Sequence, residues 1–331
     1  MSEFTDEIDV VIPWVDGSDP KHANKLQAYL GKAHKKTPES AKATRYADMG
    51  EIEFCVASIL RFTPWVRKIF IVTDNQHPCF MEDNLPQAIK DRIVLIDHVD
   101  IFEGYEYLLP VFNSLAIESM IWRIPGLAEK FIYMNDDLAF LKPTEPEVFF
   151  KEGKVILRGS WNPLIKSTIS RQVKERLGVA RATNRRAQSR GAELVAPNAT
   201  KFLIAGHVPH PVRKSTLANF FLRRPELFVG NAAHPLRHYS QFWPIAVANQ
   251  LEIEQGSFAL SDNPKDLYLS PNKQTPEQMI NALNELSDIE DCNFLCVQSL
   301  DEAGESFYQC WRSWMKNNIG NIRSSLDWYR G

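Results

Sequence analysis

Short apolar runs recur through the first half of this chain, each ending in a polar, acid-bearing loop and separated from the next by amphipathic sequence. Ile8–Val15, Lys68–Thr73, Arg92–Asp97 and Phe131–Met134 read as strands of the near-continuous apolar kind that parallel sheets bury on both faces. Between them, Gly50–Phe62 carries helical spacing, with Ile52, Val56, Ile59 and Leu60 on one face and Pro64 as its stop. Asn113–Arg123 reads as a second helix, with Ile117, Ile121 and Ile124 as its buried stripe and Asn113 or Ser114 as its cap. Strands alternating with helices predict an α/β fold built on a Rossmann-like, mostly parallel sheet flanked by helices.

Such a sheet binds ligands outside the carboxyl ends of its strands. Three of these ends are chemically conspicuous. The first strand runs into Trp14-Val15-Asp16-Gly17-Ser18-Asp19-Pro20, a turn by composition that offers several oxygens. The second runs into Asp74-Asn75-Gln76-His77-Pro78. The last ends in Met134-Asn135-Asp136-Asp137, where adjacent carboxylates repel each other unless something positive sits between them. Asp136 and Asp137 therefore either open a turn or hold a divalent cation against a phosphate-bearing substrate, and the string alone leaves both open. No GxGxxG and no GxxxxGK[ST] is present, which weakens dinucleotide and P-loop readings.

With 331 residues, 44% hydrophobic and 24% charged, the chain fits one large or two ordinary soluble domains. A net charge of −3 gives no global basicity for nucleic acid. No apolar run reaches the roughly 20 residues of a membrane span, and the N-terminus lacks a signal-peptide core. Five scattered cysteines, an odd number, read as reduced thiols of a cytoplasmic protein. A zinc site of Cys292 and Cys296 with His207 and His210 is the weaker reading, because Cys296 lies inside an apolar run. Residues 151–200 carry 11 Lys or Arg against three Glu, which predicts a largely helical, partly exposed basic insertion. Its charges read first as a solvated face and second as a contact for a polyanion.

Downstream, His207-Val208-Pro209-His210-Pro211 holds two rings in a proline-stiffened segment, where a near-neutral imidazole suits a general base. For either histidine alone, packing against the core is the stronger reading. Arg237 presents a planar fork suited to phosphate, or equally to a surface ion pair.

Taken together, these strings resemble the Stealth family of sugar-phosphate transferases, which includes bacterial capsule polymerases and the catalytic subunit of the lysosomal-enzyme GlcNAc-1-phosphotransferase. The resemblance rests on four blocks in order: Ile8–Pro20; Arg45-Tyr46-Ala47-Asp48 through Ile69–Asp74 and Phe112–Glu118 to Phe131–Asp137; His207–His210 to Arg237; and Asn293–Glu302. It covers nearly the whole chain and implies one catalytic domain over 1–331 with a GT-A-like fold, the basic insertion at 151–200, and an acidic-to-aromatic segment at 281–331 completing the site. The fourth block departs from the family pattern: Gln298 and Ser299 stand where an Asn-Asp pair is expected, leaving Asp301, Glu302 or Asp262 to supply the acid.

The resemblance implies transfer of a hexose- or N-acetylhexosamine-1-phosphate from a nucleotide sugar, commonly UDP-linked as in UDP-GlcNAc, to an acceptor sugar hydroxyl. A phosphodiester of capsular polysaccharide forms and a nucleoside monophosphate leaves. It implies Mg²⁺ or Mn²⁺ on Asp136, Asp137 and Asp301, and donor binding by Trp14, Val15, Asp16, Gly17, Ser18, Asp19 and Asn113. Arg45 and Arg237 are implied for phosphoryl charge, His207 as base, and Glu118 to orient a sugar hydroxyl or an arginine. The implied partners are the nucleotide sugar and a growing anionic capsular chain, with peripheral contact to inner-membrane export machinery and no nucleic acid. The rival readings are a metal-dependent glycosyltransferase and a non-catalytic polysaccharide assembly or binding protein.

Overall fold

The computed structural model describes residues 6–33, 41–82, 85–165, 181–261, 266–288 and 292–322. Its centre is a five-stranded sheet of β1 (Ile8–Pro13), β2 (Val66–Thr73), β3 (Ile93–Asp97), β4 (Lys130–Tyr133) and β5 (His210–Arg213), in the order β5-β4-β1-β2-β3. The first four strands in chain order run parallel and β5 closes one edge antiparallel to β4, with His210 opposite Tyr133. The predicted α/β architecture is therefore observed, and all four apolar runs are strands, with boundaries shifted by a residue or two.

β1 is central because its side chains satisfy both faces of the sheet: Ile8, Val10 and Ile12 enter one apolar cluster, Val11 the other. The helix Glu51–Phe62 lies on the first face, begins after a left-handed Gly50 and ends at Thr63, whose amide and hydroxyl both donate to the Ile59 carbonyl. At the amino end of β1, away from the acid-bearing loops, Asp9 is 0% exposed and gathers the sheet's base. It accepts from Arg67 Nε at 2.9 Å and Nη2 at 2.6 Å, and from the Ala128 amide at 2.7 Å.

One reading of the sequence needs correction, and a second is met only in part by the described residues. The helix predicted over Asn113–Arg123 is broken into Ser114–Glu118 and a single 3₁₀ turn, Ile121–Arg123. At the break, the buried Asn231 amide donates to the Leu115 carbonyl at 3.1 Å and to Ser119 Oγ at 2.7 Å, and Ser119 Oγ itself donates to the Leu115 carbonyl at 2.7 Å. Ile117 consequently faces a cavity, while Ile121 and Ile124 are buried as expected. The basic region is not largely helical among its described residues. Lys154–Leu157 and Gly159–Pro163 are strands, the latter paired antiparallel with Lys201–Ala205, and only Asn184–Val195 is a helix. Arg186 within it is buried rather than solvated, and residues 166–180 lie outside the described residues.

Behind β4 the chain turns back into Leu138–Phe140, which pairs antiparallel with Phe294–Val297, itself parallel to Leu267–Leu269. This small sheet carries the fourth sequence block to the carboxyl rim of the large one. Among the described residues no helix is long and apolar enough to cross a membrane.

Candidate active site at the carboxyl rim

A cavity of about 540 Å³ opens along the carboxyl ends of β1, β2 and β4. Asn135, Asp136 and Asp137 reach it from the turn after β4, which the Leu138 amide closes on the Asn135 carbonyl at 3.4 Å. The two readings of this string are thus compatible: it is a turn, and the turn presents the carboxylates. Asp137 Oδ1 is buried without a hydrogen-bond partner. Burial pushes the Asp137 carboxyl up to about 6, against the opposing Cys296 thiol and its own backbone amide. Asp136 is pushed well above the carboxylate range by burial, and then by the charges of Asp137, Glu51 and Asp48.

Glu51 and Asp48 were not assigned roles from sequence, although Asp48 lies within a quoted block. Glu51 opens the helix under the cavity, and burial, with Asp48 beside it, raises its carboxyl to about 8. The available signal was an acidic first turn, which ordinarily only complements the helix dipole. Trp14 is 5% exposed and its indole donates to Asp48 Oδ2 at 3.2 Å, so it orients this acid as well as lining the cavity.

Such a concentration of repelling oxygen donors suits a hard divalent cation. The described residues nevertheless hold no group of three or more His, Cys, Asp or Glu arranged to bind a metal by themselves. Asp136, Asp137 and Asp301 line one cavity without forming such a group. Asp301 is exposed on the cavity wall, where Thr44 Oγ1 donates to it at 2.9 Å. A site with two protein carboxylates completed by substrate phosphates is the usual Mg²⁺ arrangement, and it fits these residues. Asp262 lies outside the described residues, and Glu302 lines the cavity.

The loop after β1 divides. Trp14 and Val15 line the cavity; the structure does not bring Asp16, Gly17, Ser18 and Asp19 to it. Asp16 Oδ1 accepts from the Ser18 amide at 2.8 Å, and Asp19 Oδ1 accepts from the Lys21 amide at 2.8 Å at the start of the helix Pro20–Ala33. A Cβ at Gly17 would stand 2.6 Å from Tyr46 Cβ and O, so the close approach of Tyr46 requires glycine there. Arg45 and Asn113 line the cavity. Asn113 caps its short helix, as expected, and its amide donates to the His234 carbonyl at 2.5 Å.

Arg237 separates this cavity from a second of about 250 Å³, sharing the boundary with Ser114, Asn135 and Gln298. Its Nη2 donates to Ser114 Oγ at 3.1 Å and its Nε is buried without a partner. Burial, with Arg45 nearby, lowers its pKa, and Glu118 partly offsets this. Glu118 is 2% exposed, lines the second cavity and leaves Oε2 without a partner; burial raises its carboxyl against the opposing Tyr133 hydroxyl and Arg237. His207 lines the same second cavity and stacks on Tyr268, ring centroids 4.6 Å apart; burial and then Lys273 lower its pKa. His210 is the buried member of the pair, held by Tyr133 and Trp243. Gln298, the departure in the fourth block, accepts from the Tyr268 hydroxyl at the same boundary.

Stealth protein conserved region 1 matches residues 6–33, and Stealth protein conserved region 2 matches residues 45–157. The chain thus carries two conserved regions of the Stealth family. A capsular polysaccharide phosphotransferase of Actinobacillus suis is 42% identical over 44% of this chain and 38% of its own length. An exopolysaccharide phosphotransferase of Streptomyces coelicolor is 32% identical over 81% of this chain and 27% of its own. This chain thus spans less than half the length of these curated relatives. Among solved structures, the apo WbbM bifunctional glycosyltransferase superposes with a TM-score of 0.48 and 12% identity over 100% of this chain and 52% of that one.

Proposed function

We propose that this chain transfers a sugar-1-phosphate from a nucleotide sugar to a hydroxyl of a capsule-type polysaccharide. The observation that supports this reading is the meeting of two cavities at Arg237. One is lined by Asp136, Asp137 and Arg45, and the other by His207 and Glu118. The donor diphosphate fits the first and the acceptor hydroxyl the second. His207, its pKa lowered by burial, takes the acceptor proton. The acceptor oxygen attacks the phosphorus that carries the sugar. The bond from that phosphorus to the bridging oxygen breaks, and the nucleoside monophosphate leaves with the electron pair. Arg237 and Arg45 stabilise the charge on the transferred phosphoryl group. Mg²⁺ or Mn²⁺, held by Asp136 and Asp137, would neutralise the diphosphate. Glu118 acts on Arg237 through its charge and orients it.

UDP-GlcNAc as donor, a growing anionic oligosaccharide as acceptor, a cytoplasmic location and peripheral contact with inner-membrane export machinery belong to the same proposal. The test is a panel of nucleotide sugars with short capsule oligosaccharides, assayed for nucleoside monophosphate. Release of monophosphate that Asp137→Ala abolishes supports the reading. Release of nucleoside diphosphate would instead identify a glycosyltransferase, and tight donor binding without turnover a non-catalytic protein.

A further inference from the structure

The far end of the large cavity carries a second polar group that the proposed phosphoryl chemistry does not use. His22, Asp74 and His98 line it. Asp74 follows β2 and His98 follows β3, whereas the Asp136–Asp137 turn follows β4. In the strand order β4-β1-β2-β3, two interstrand spacings separate the β4 end from that of β2 and three from that of β3, about 10 and 14 Å at the usual strand separation. A nucleoside diphosphate laid along the rim with its phosphates at Arg45 and the acid pair places its nucleoside over β2 and β3.

The side chains there are built and fixed. His22 is 4% exposed, its ring wedged 5.5 Å from that of Tyr46 and 5.6 Å from that of Phe112, and neither of its nitrogens has a hydrogen-bond partner. His98 is 5% exposed and its Nε2 is likewise unpartnered. Asp74 is gripped by Lys25 Nζ at 2.8 and 2.9 Å, and His22 Nδ1 stands 3.9 Å from its Oδ2. Buried polar atoms without partners are uncommon, and three on one cavity wall call for polar groups from a ligand.

We propose that His22, Asp74 and His98 form the ribose subsite of the donor and select ribonucleotides over 2′-deoxyribonucleotides. The inference rests on the nucleotide-sugar reading above. A vicinal diol both donates and accepts at each oxygen. A carboxylate flanked by imidazoles offers it acceptors and N–H donors together. Burial would raise the Asp74 carboxyl, but His22 and Lys25 outweigh it and hold it ionised, well below its usual range. Burial keeps the His98 ring neutral by lowering its pKa to about 4. A site built to hydrogen-bond a hydroxyl penalises an analogue without it, because the buried partners are left unpaired.

Calorimetric titration of the full chain in Mg²⁺ with UMP, CMP, GMP and AMP and their 2′-deoxy counterparts tests this. The expected result is about 10- to 100-fold weaker binding of the 2′-deoxy form of whichever nucleotide binds. Asp74→Asn and His22→Phe should each shrink that ratio toward one while weakening the deoxy form less. Equal binding of ribo and deoxy forms by the unaltered chain overturns the subsite while leaving the transferase reading standing. Loss of base preference in Asp74→Asn with the ribo-to-deoxy ratio intact overturns it too, by placing the base there. Binding of no nucleotide overturns both.

Discussion

At the residue scale, the carboxylates at the end of β4 matter because burial and mutual repulsion work against their ionisation. The role proposed for them, as an anchor for a diphosphate, predicts that Asp137→Ala lowers kcat/KM by about 10²–10³-fold, measured as nucleoside monophosphate release, with the fold intact by circular dichroism. The same carboxylates predict loss of turnover in EDTA and its return with Mg²⁺ or Mn²⁺. His210 makes a separate prediction about stability. Burial, helped by His207 and Arg158, lowers its pKa to about 3, whereas an unfolded histidine titrates near 6.5. Below about pH 6.5 the unfolded chain therefore binds a proton that the folded ring refuses until about pH 3, and stability falls as pH drops through that window. Replacing His210 with Gln should flatten the decline between pH 6 and 4 by about 1.4 kcal/mol per pH unit in urea unfolding. Comparing slopes isolates this group from the carboxylates with raised pKa values, which act in the opposite direction. An unchanged slope would contradict it.

At the element scale, the parallel strands were legible because their apolar runs are nearly unbroken and each stops at a polar turn. The Asn113–Arg123 break was not legible: the polar contacts at it come from Asn231, more than a hundred residues later, whose amide bonds the Leu115 carbonyl and the Ser119 hydroxyl. The placement of the loop Asp16–Asp19 outside the cavity lining was hidden for a related reason. Asp, Gly and Ser suit a phosphate loop and a helix start equally, and only the approach of Tyr46 shows which they serve. Glu51 and His22 were hidden because an acid in a first turn and a histidine in a helix have ordinary local explanations. The base of β1 gives the sharpest test at this scale. Asp9→Ala leaves Arg67 and the Ala128 amide without their buried partner and should cost about 3–5 kcal/mol in denaturant unfolding. A loss below about 1 kcal/mol, the worth of a surface pair, would show that the network does not anchor the sheet.

At the scale of the whole molecule, sheet topology gathers distant sequence into one site. The acids come from β4, the loop Trp14–Val15 from β1 and His207 from the approach to β5, while the fourth block arrives on the small second sheet. Arg237 stands where the two cavities meet. The proposed phosphotransferase account uses that two-chamber plan by assigning donor and acceptor to different sides of one arginine. The most direct test follows the phosphate. With a nucleotide sugar labelled with ³²P at the phosphate attached to the sugar, and an oligosaccharide acceptor, the account predicts that the label moves into the oligosaccharide while unlabelled nucleoside monophosphate is released. Label remaining on released nucleoside diphosphate, with sugar alone in the product, would contradict it.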